Sequence, residues 1–282
     1  MSTEIQLLRN ATMKIKYGGF TILTDPMFAA EKSMRGYLDR ENTVNPTVPL
    51  PLSPERITAS IDLVLVSHTH IPADNPVNAA SDHFDPEAAA FLDGGLPIFI
   101  QPSDEKALSS LGFTNLNPVG LEPQSLPLPE SGAESGGKTC RISRFPVVHA
   151  DIPEVRPFLG DSSGYLLESD GLPPLLWCGD AILTGDLLKI AAESKPGIII
   201  THSGGAFQPI DAEGNISRFI MDAGETVRLA ETAPEATLIA VHLEALDHCP
   251  VGRDELRDAA GKAGISPERI LIPADGETII ID

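Results

Sequence analysis

Short apolar runs along this chain end, one after another, on residues that bind metals, and this pattern constrains the fold more than any other feature. The run Ile61 to Val66 leads into Ser67-His68-Thr69-His70, and Asp82-His83 follows. Side chains two apart on an extended segment point the same way, so His68 and His70 can reach one ion from the end of a single strand. Three later segments add Val148-His149, Cys178-Gly179-Asp180 and Val241-His242, each after a strand-like run. The set contains five imidazoles and two carboxylates, the donors of a two-ion hydrolytic site. Asp180 follows a strand and a glycine, where the backbone can approach closely, and is well placed to bridge two ions.

The remaining pattern supplies layers on which such a site can stand. Ile5 to Leu8, Thr12 to Tyr17 and Thr21 to Thr24 read as strands, with turns at Asn10-Ala11 and Gly18-Gly19. Prolines 46, 49, 51 and 54 make the stretch from Asn42 to Pro54 an irregular loop. Pro86 to Leu92 reads as a helix capped by Asp85 and ended by Gly94-Gly95. Pro97 to Ile100 is a strand, and Ser103 to Leu111 a helix capped by Ser103. The middle is rich in strand signals: Arg141 to Val148, Ser163 to Glu168 and Leu175 to Cys178. The stretch from Glu130 to Lys138, rich in Gly and Ser, reads as a surface turn. In the last third, helices at Gly185 to Ser194, Ala223 to Ala233 and Arg253 to Ala263 alternate with strands at Gly197 to Thr201 and Leu238 to Val241. Strands at Ile270 to Ile272 and Thr278 to Ile281 follow. The alternation points to an α/β layered fold. With no linker long enough to separate two units, residues 1–282 are expected to form one domain.

Composition excludes some partners. A net charge of −20 argues against nucleic acid and anionic membrane surfaces, which need clustered Lys and Arg. No run approaches the ~20 apolar residues of a spanning helix, and no signal-peptide pattern opens the chain. The three cysteines are widely spaced and odd in number, so a reducing, cytoplasmic setting is expected. The expected partner is a small-molecule substrate, with homo-oligomerisation left open.

Taken together, the motifs resemble the metallo-β-lactamase superfamily. Leu8 to Thr12, Tyr17-Gly18-Gly19 and Leu23 to Pro26 look like its first strands. Ser67-His68-Thr69-His70 with Asp82-His83-Phe84-Asp85 looks like its His-x-His-x-Asp-His signature. Gly179-Asp180 and Val241-His242 match its later ligands. His242-Leu243-Glu244-Ala245 and Pro273 to Glu277 resemble the branch of ascorbate 6-phosphate lactonases and N-acyl phosphatidylethanolamine phospholipases D.

This resemblance implies a four-layer αββα sandwich with the site at one edge of its two sheets. It implies His68, His70 and His149 on one divalent ion, Asp82, His83 and His242 on a second, and Asp180 bridging. The implied chemistry is attack by a metal-bound hydroxide on an ester, lactone, amide or phosphodiester, with Asp82 orienting the hydroxide. Zn²⁺ is the expected ion, and the same ligands suit Mn²⁺ or Fe²⁺. The chain departs from the signature in one place: eleven residues, Ile71 to Ser81, stand where the family has one. This insert is expected to bulge out as a loop near the site and return Asp82-His83 to the usual place. The other reading is a displaced pair and a weakened second site. Asp74, within the insert, is a spare ligand or a solvated acid.

Other residues have two readings each. His248 is a candidate catalytic residue that binds substrate or protonates a leaving group, or else a histidine bonded to backbone. His202 lines the site or supports it. Asp25 orients a ligand histidine or terminates a turn. Ser67, Ser162 and Ser163 lack the spacing of a serine nucleophile. The favoured function is a metal-dependent hydrolase of a small lactone or ester. The alternatives are a phosphodiesterase or phospholipase on the same fold, and a non-catalytic binding protein on a degenerate one.

Overall fold

The computed structural model describes residues 2–71, 81–127 and 139–282. The surface turn expected at 130–138 lies outside these residues, as do Asp74 and the rest of the insert between Ile71 and Ser81.

The chain opens with three antiparallel strands, β1 (Thr3–Arg9), β2 (Thr12–Tyr17) and β3 (Phe20–Thr24). A small hairpin, β4 (Met34–Arg35) and β5 (Thr43–Asn45), and helix α1 (Pro54–Thr58) follow. Then come β6 (Leu63–Leu65), α2 (Pro86–Phe91), β7 (Ile98–Ile100), α3 (Glu105–Ser110), β8 (Leu116–Pro118) and β9 (Gln124–Ser125). The second half runs β10 (Cys140–Pro146), α4 (Arg156–Leu159), β11 (Ser163–Ser169), β12 (Leu175–Trp177), α5 (Gly185–Ser194) and β13 (Ile198–His202). It continues through hairpin β14 (Phe207–Pro209) and β15 (Ile216–Arg218), then α6 (Ala223–Thr232), β16 (Thr237–Val241), α7 (Arg253–Lys262), β17 (Ile270–Leu271) and β18 (Thr278–Ile281).

Among the described residues these strands form two seven-stranded sheets, β18-β1-β2-β3-β6-β7-β8 and β17-β16-β13-β12-β11-β10-β9. Side chains alternate between faces with the period of two that a pleated strand imposes. Leu63 and Leu65 of β6 join Leu175 and Trp177 of β12 and Ile198 and Ile200 of β13 in a core between the sheets. Their neighbours point outward. Val64 and Val66 meet α1, α2 and α3 through Ile57, Ala88 and Leu108. Leu176, Ile199, Leu238 and Ala240 meet α5, α6 and α7 through Leu187, Leu229 and Leu256. The result is a four-layer αββα sandwich, as the resemblance implied. Each fully buried aliphatic side chain contributes about 1.5–3 kcal/mol by leaving water.

Strand direction places the site. β3, β6, β7 and β8 run parallel in one sheet, and β12, β13, β16 and β17 run parallel in the other. In open α/β sheets, ligands gather where parallel strands end. The two sheets meet at that end through the Tyr165 hydroxyl, which donates to the Val66 carbonyl at 2.8 Å.

Two local expectations differ from the structure. The proline-rich stretch is not wholly irregular: Thr43–Asn45 pairs with Met34–Arg35 because it ends before Pro46, and Pro54 opens α1, where its missing N–H costs nothing. Ser103 is not a cap, since Pro102–Asp104 forms a 3₁₀ turn that runs into α3. The cap expected at Asp85 is present, its carboxylate accepting from the Ala88 amide at 2.7 Å.

Candidate metal centre

His68 and His70 lie just beyond β6, His149 beyond β10, Asp180 beyond β12 and His242 beyond β16. Asp82 and His83 are turned inward by Ser81, whose hydroxyl accepts from the His83 and Phe84 amides at 3.2 and 3.1 Å. Asp85 starts α2 two residues later, and burial pushes its carboxyl up to about 6. His70 and His242 hold left-handed backbone conformations with φ of 52° and 60°. Such strain in residues other than glycine concentrates at functional sites.

The donors converge in two overlapping groups. The His68 and His70 Nε2 atoms are 2.9 Å apart, and His149 Nε2 is 3.2 Å from that of His70. On the other side, His242 Nε2 is 3.2 Å from Asp82 Oδ2, and His83 Nε2 is 3.5 Å from the same oxygen. Asp180 stands between them. Its Oδ2 is 3.9 Å from His68, 3.8 Å from His149 and 3.2 Å from His83, and its Oδ1 is 3.8 Å from His242.

The second nitrogen of each ring explains why Nε2 faces inward. His70 Nδ1 donates to the Leu159 carbonyl at 3.0 Å, and His149 Nδ1 to that of Phe219 at 3.1 Å. His83 Nδ1 donates to Asp25 Oδ2 at 2.7 Å. His68 Nδ1 donates to the Ser67 hydroxyl at 2.9 Å, which in turn donates to Asp25 Oδ2 at 2.7 Å. His242 Nδ1 faces Cys249 Sγ at 3.5 Å. An acceptor at Nδ1 keeps the proton there and leaves the Nε2 lone pair for an ion. The buried His83 Nε2 faces Asp180 Oδ2 at 3.2 Å without hydrogen-bond geometry. A buried nitrogen so placed inside a ring of imidazoles and carboxylates fits a divalent cation.

Electrostatics differ between the halves. Burial and mutual repulsion lower the basicity of His68 and His70, and burial brings His149 down to about 3. Burial opposes charge on His83 and His242 as well. The carboxylates of Asp82, Asp180 and Asp25 nevertheless hold His83 well above its ordinary range, and Asp180 and Cys249 do the same for His242. Burial also disfavours the ionised Asp82 and Asp180, yet the facing His83 keeps both well below the usual carboxylate range.

The residues with two sequence readings are now placed. Asp25 orients His83 directly and His68 through Ser67. His202 sits beneath Asp180: Trp177 Nε1 donates to its Nε2 at 3.1 Å, and its Nδ1 donates to Asp180 Oδ1 at 2.5 Å. Both ring nitrogens are used, so His202 holds the carboxylate rather than an ion. His248 is buried against the Tyr37 ring, 4.5 Å between centroids, and burial brings it down to about 4, so near neutral pH it is an uncharged imidazole. Gly179 has φ +60°, and a Cβ there would lie 2.4 Å from the Ser163 carbonyl oxygen, so the expected close approach is present.

Sequence reasoning missed Asn10, Tyr37, Trp177 and Cys249. Asn10 does form the expected turn, with φ 56°. Its amide also donates to the Asp82 carbonyl at 3.3 Å, and its own carbonyl accepts from the His242 amide at 3.0 Å. Asparagine tolerates the left-handed region, which is the one signal the sequence carried.

No family model matches the chain. The UPF0173 protein YddR of Bacillus subtilis (strain 168) is 28% identical over 280 residues, covering 98% of each chain. Among solved structures, isothiocyanate hydrolase from Delia radicum gut bacteria is 28% identical with a TM-score of 0.81, covering 98% of both chains. A protein from Veillonella parvula DSM 2008, described as a possible metal-dependent hydrolase, is 27% identical with a TM-score of 0.83, covering 99% of both. The metallo-beta-lactamase fold protein YhfI from Bacillus subtilis is 15% identical with a TM-score of 0.59, covering 98% of this chain and 99% of that one. The fold is the metallo-β-lactamase fold. Its neighbours at 27–28% identity indicate a metal-dependent hydrolase, and the clustered His and Asp side chains can bind divalent metal. Among the described residues, no helix is long and apolar enough to cross a membrane.

Proposed function

We propose that this chain is a binuclear metal-dependent hydrolase that adds water to an electrophilic carbon of a small molecule. The observation that carries the reading is Asp180 Oδ2, which lies 3.2–3.9 Å from imidazole nitrogens of both halves of the cluster. His68, His70 and His149 would hold one ion, Asp82, His83 and His242 the other, with Asp180 within reach of both. The mixed nitrogen and oxygen donors suit Zn²⁺, and Mn²⁺ or Fe²⁺ as well. Bound ions supply a water acidified toward neutrality and positive charge for a developing anion. The protein would orient that water through the Asp82 carboxylate, itself positioned by Asn10.

Two substrate classes share this chemistry. Resemblance to the lactonase branch supports a lactone or ester. Likeness to an isothiocyanate hydrolase over 98% of both chains supports an isothiocyanate, where one water and R–N=C=S give the amine and carbonyl sulfide. Both require attack at a carbon flanked by heteroatoms, and the acidic chain, net −20, suits an uncharged substrate better than a polyanion.

Metal content per chain should be measured on protein purified without added metal or chelator. Turnover of phenethyl isothiocyanate, a γ-lactone and bis-para-nitrophenyl phosphate should then be compared. Two equivalents and chelator-sensitive turnover of either carbon substrate support the reading. Preference for the phosphodiester would replace it, and failure to hold metal after reconstitution would favour a binding protein.

A further inference from the structure

Tyr37 is the residue near the centre that none of the ligand or support roles above requires. Its ring is half-buried at the outer side of the site, packed with Met34, Val155 and Leu159 around Met27, Phe219 and Leu246. Its hydroxyl reaches inward and donates to Asp82 Oδ1 at 3.3 Å. That separation exceeds the usual O–H···O range.

The chain fixes this phenol from far away. Asp247 Oδ1 accepts from the Tyr37 amide at 3.0 Å, and Oδ2 accepts from the Leu38 and Asp39 amides at 2.9 and 3.1 Å. Asn45 closes the arrangement, donating to Asp247 Oδ1 and accepting from the Asp247 amide, both at 2.9 Å. The ring of His248 backs that of Tyr37, 4.5 Å away and tilted by 59°. Asp247 thus anchors the loop and His248 the ring of one side chain.

A rigidly held neutral donor beside the ligands of one ion is suited to charge that develops during reaction. We propose that Tyr37 is a catalytic residue whose hydroxyl turns from Asp82 to donate a hydrogen bond to the substrate heteroatom that gains negative charge. The phenol keeps its proton throughout, since its ordinary pKa near 10 leaves it neutral at working pH. The proposal rests on the hydrolase reading for the reaction itself.

The competing role is structural: Tyr37 would only hold Asp82 on its ion. Cobalt-loaded protein separates the two, with thiocyanate, a linear anion of the atoms N, C and S, as probe. Tyr37→Phe should keep the wild-type cobalt content and bind thiocyanate about tenfold more weakly by visible absorption, the loss of one hydrogen bond to an anion. Asp247→Ala, which releases the loop, should do the same while cobalt is retained. Loss of a cobalt equivalent in Tyr37→Phe would overturn the proposal in favour of the structural role. Equal thiocyanate affinity in both proteins, or none in the wild type, would overturn it too. A wild type that takes up cobalt and binds thiocyanate but hydrolyses no carbon substrate would count against the hydrolase reading alone.

Discussion

Replacing Asp25 with Asn tests the orientation of the clustered histidines, because one buried carboxylate serves two of them. Three donors converge on it: the Ser67 amide on Oδ1, and the Ser67 hydroxyl and His83 Nδ1 on Oδ2, each at 2.7 Å. An asparagine side chain has one accepting oxygen. If that oxygen takes the Oδ2 place, its NH₂ faces the Ser67 amide, donor against donor. If the amide is flipped, its NH₂ faces His83 Nδ1, and the imidazole must move its proton to Nε2, where it blocks an ion. Either way at least one buried charge-assisted hydrogen bond is lost, about 1.5–3 kcal/mol of stability. Loss of an orienting partner typically weakens metal binding about 10–100-fold. Chemical denaturation of the metal-free protein reads the first quantity, and Zn²⁺ titration against a chromophoric chelator reads the second. The ion held by His83 should weaken more than the other, since Asp25 reaches His68 only through Ser67. Wild-type stability together with wild-type affinity for both ions would refute the reasoning.

Further outcomes follow from the same geometry. Gly179→Ala places a methyl group 2.4 Å from the Ser163 carbonyl oxygen at φ +60°, so it should lower stability by about 1–3 kcal/mol or shift Asp180, as read by denaturation and metal content. His202→Leu leaves Asp180 Oδ1 and Trp177 Nε1 without each other's relay; metal affinity should fall about tenfold or more, and an unchanged titration would count against it. Ion binding should release protons unequally near pH 7. His83 and His242, raised above 6.5, are charged in the metal-free protein and must give up protons, whereas His68, His70 and His149, lowered, have none to give. Affinity on the His83 side should therefore rise with pH, which calorimetry in buffers of different ionisation enthalpy will show. In the metal-free protein the same two raised values stabilise the fold fully below pH 6.5, and that contribution is lost as pH rises through them.

The clustered donors were legible because few residue types bind a divalent ion and a strand end is marked by where its apolar run stops. Asp82 and His83 could be read across an insert because Asp85 and Pro86 announce a helix start whatever precedes them. The loop reading of Asn42 to Pro54 erred where it treated prolines as acting on a whole stretch, although Thr43 to Asn45 stop one residue short of the first. Tyr37 was invisible for another reason. Nothing local marks it, and its anchor, Asp247, is 210 residues away. The partners of His70 and His149 carry the difference further, since both are backbone carbonyls, at Leu159 and Phe219. Any residue in those two places offers the same oxygen. Those contacts depend on the path of the chain, so the partners of two of the five rings leave no trace in residue identity and become readable only once the sheets bring those carbonyls to the ring nitrogens.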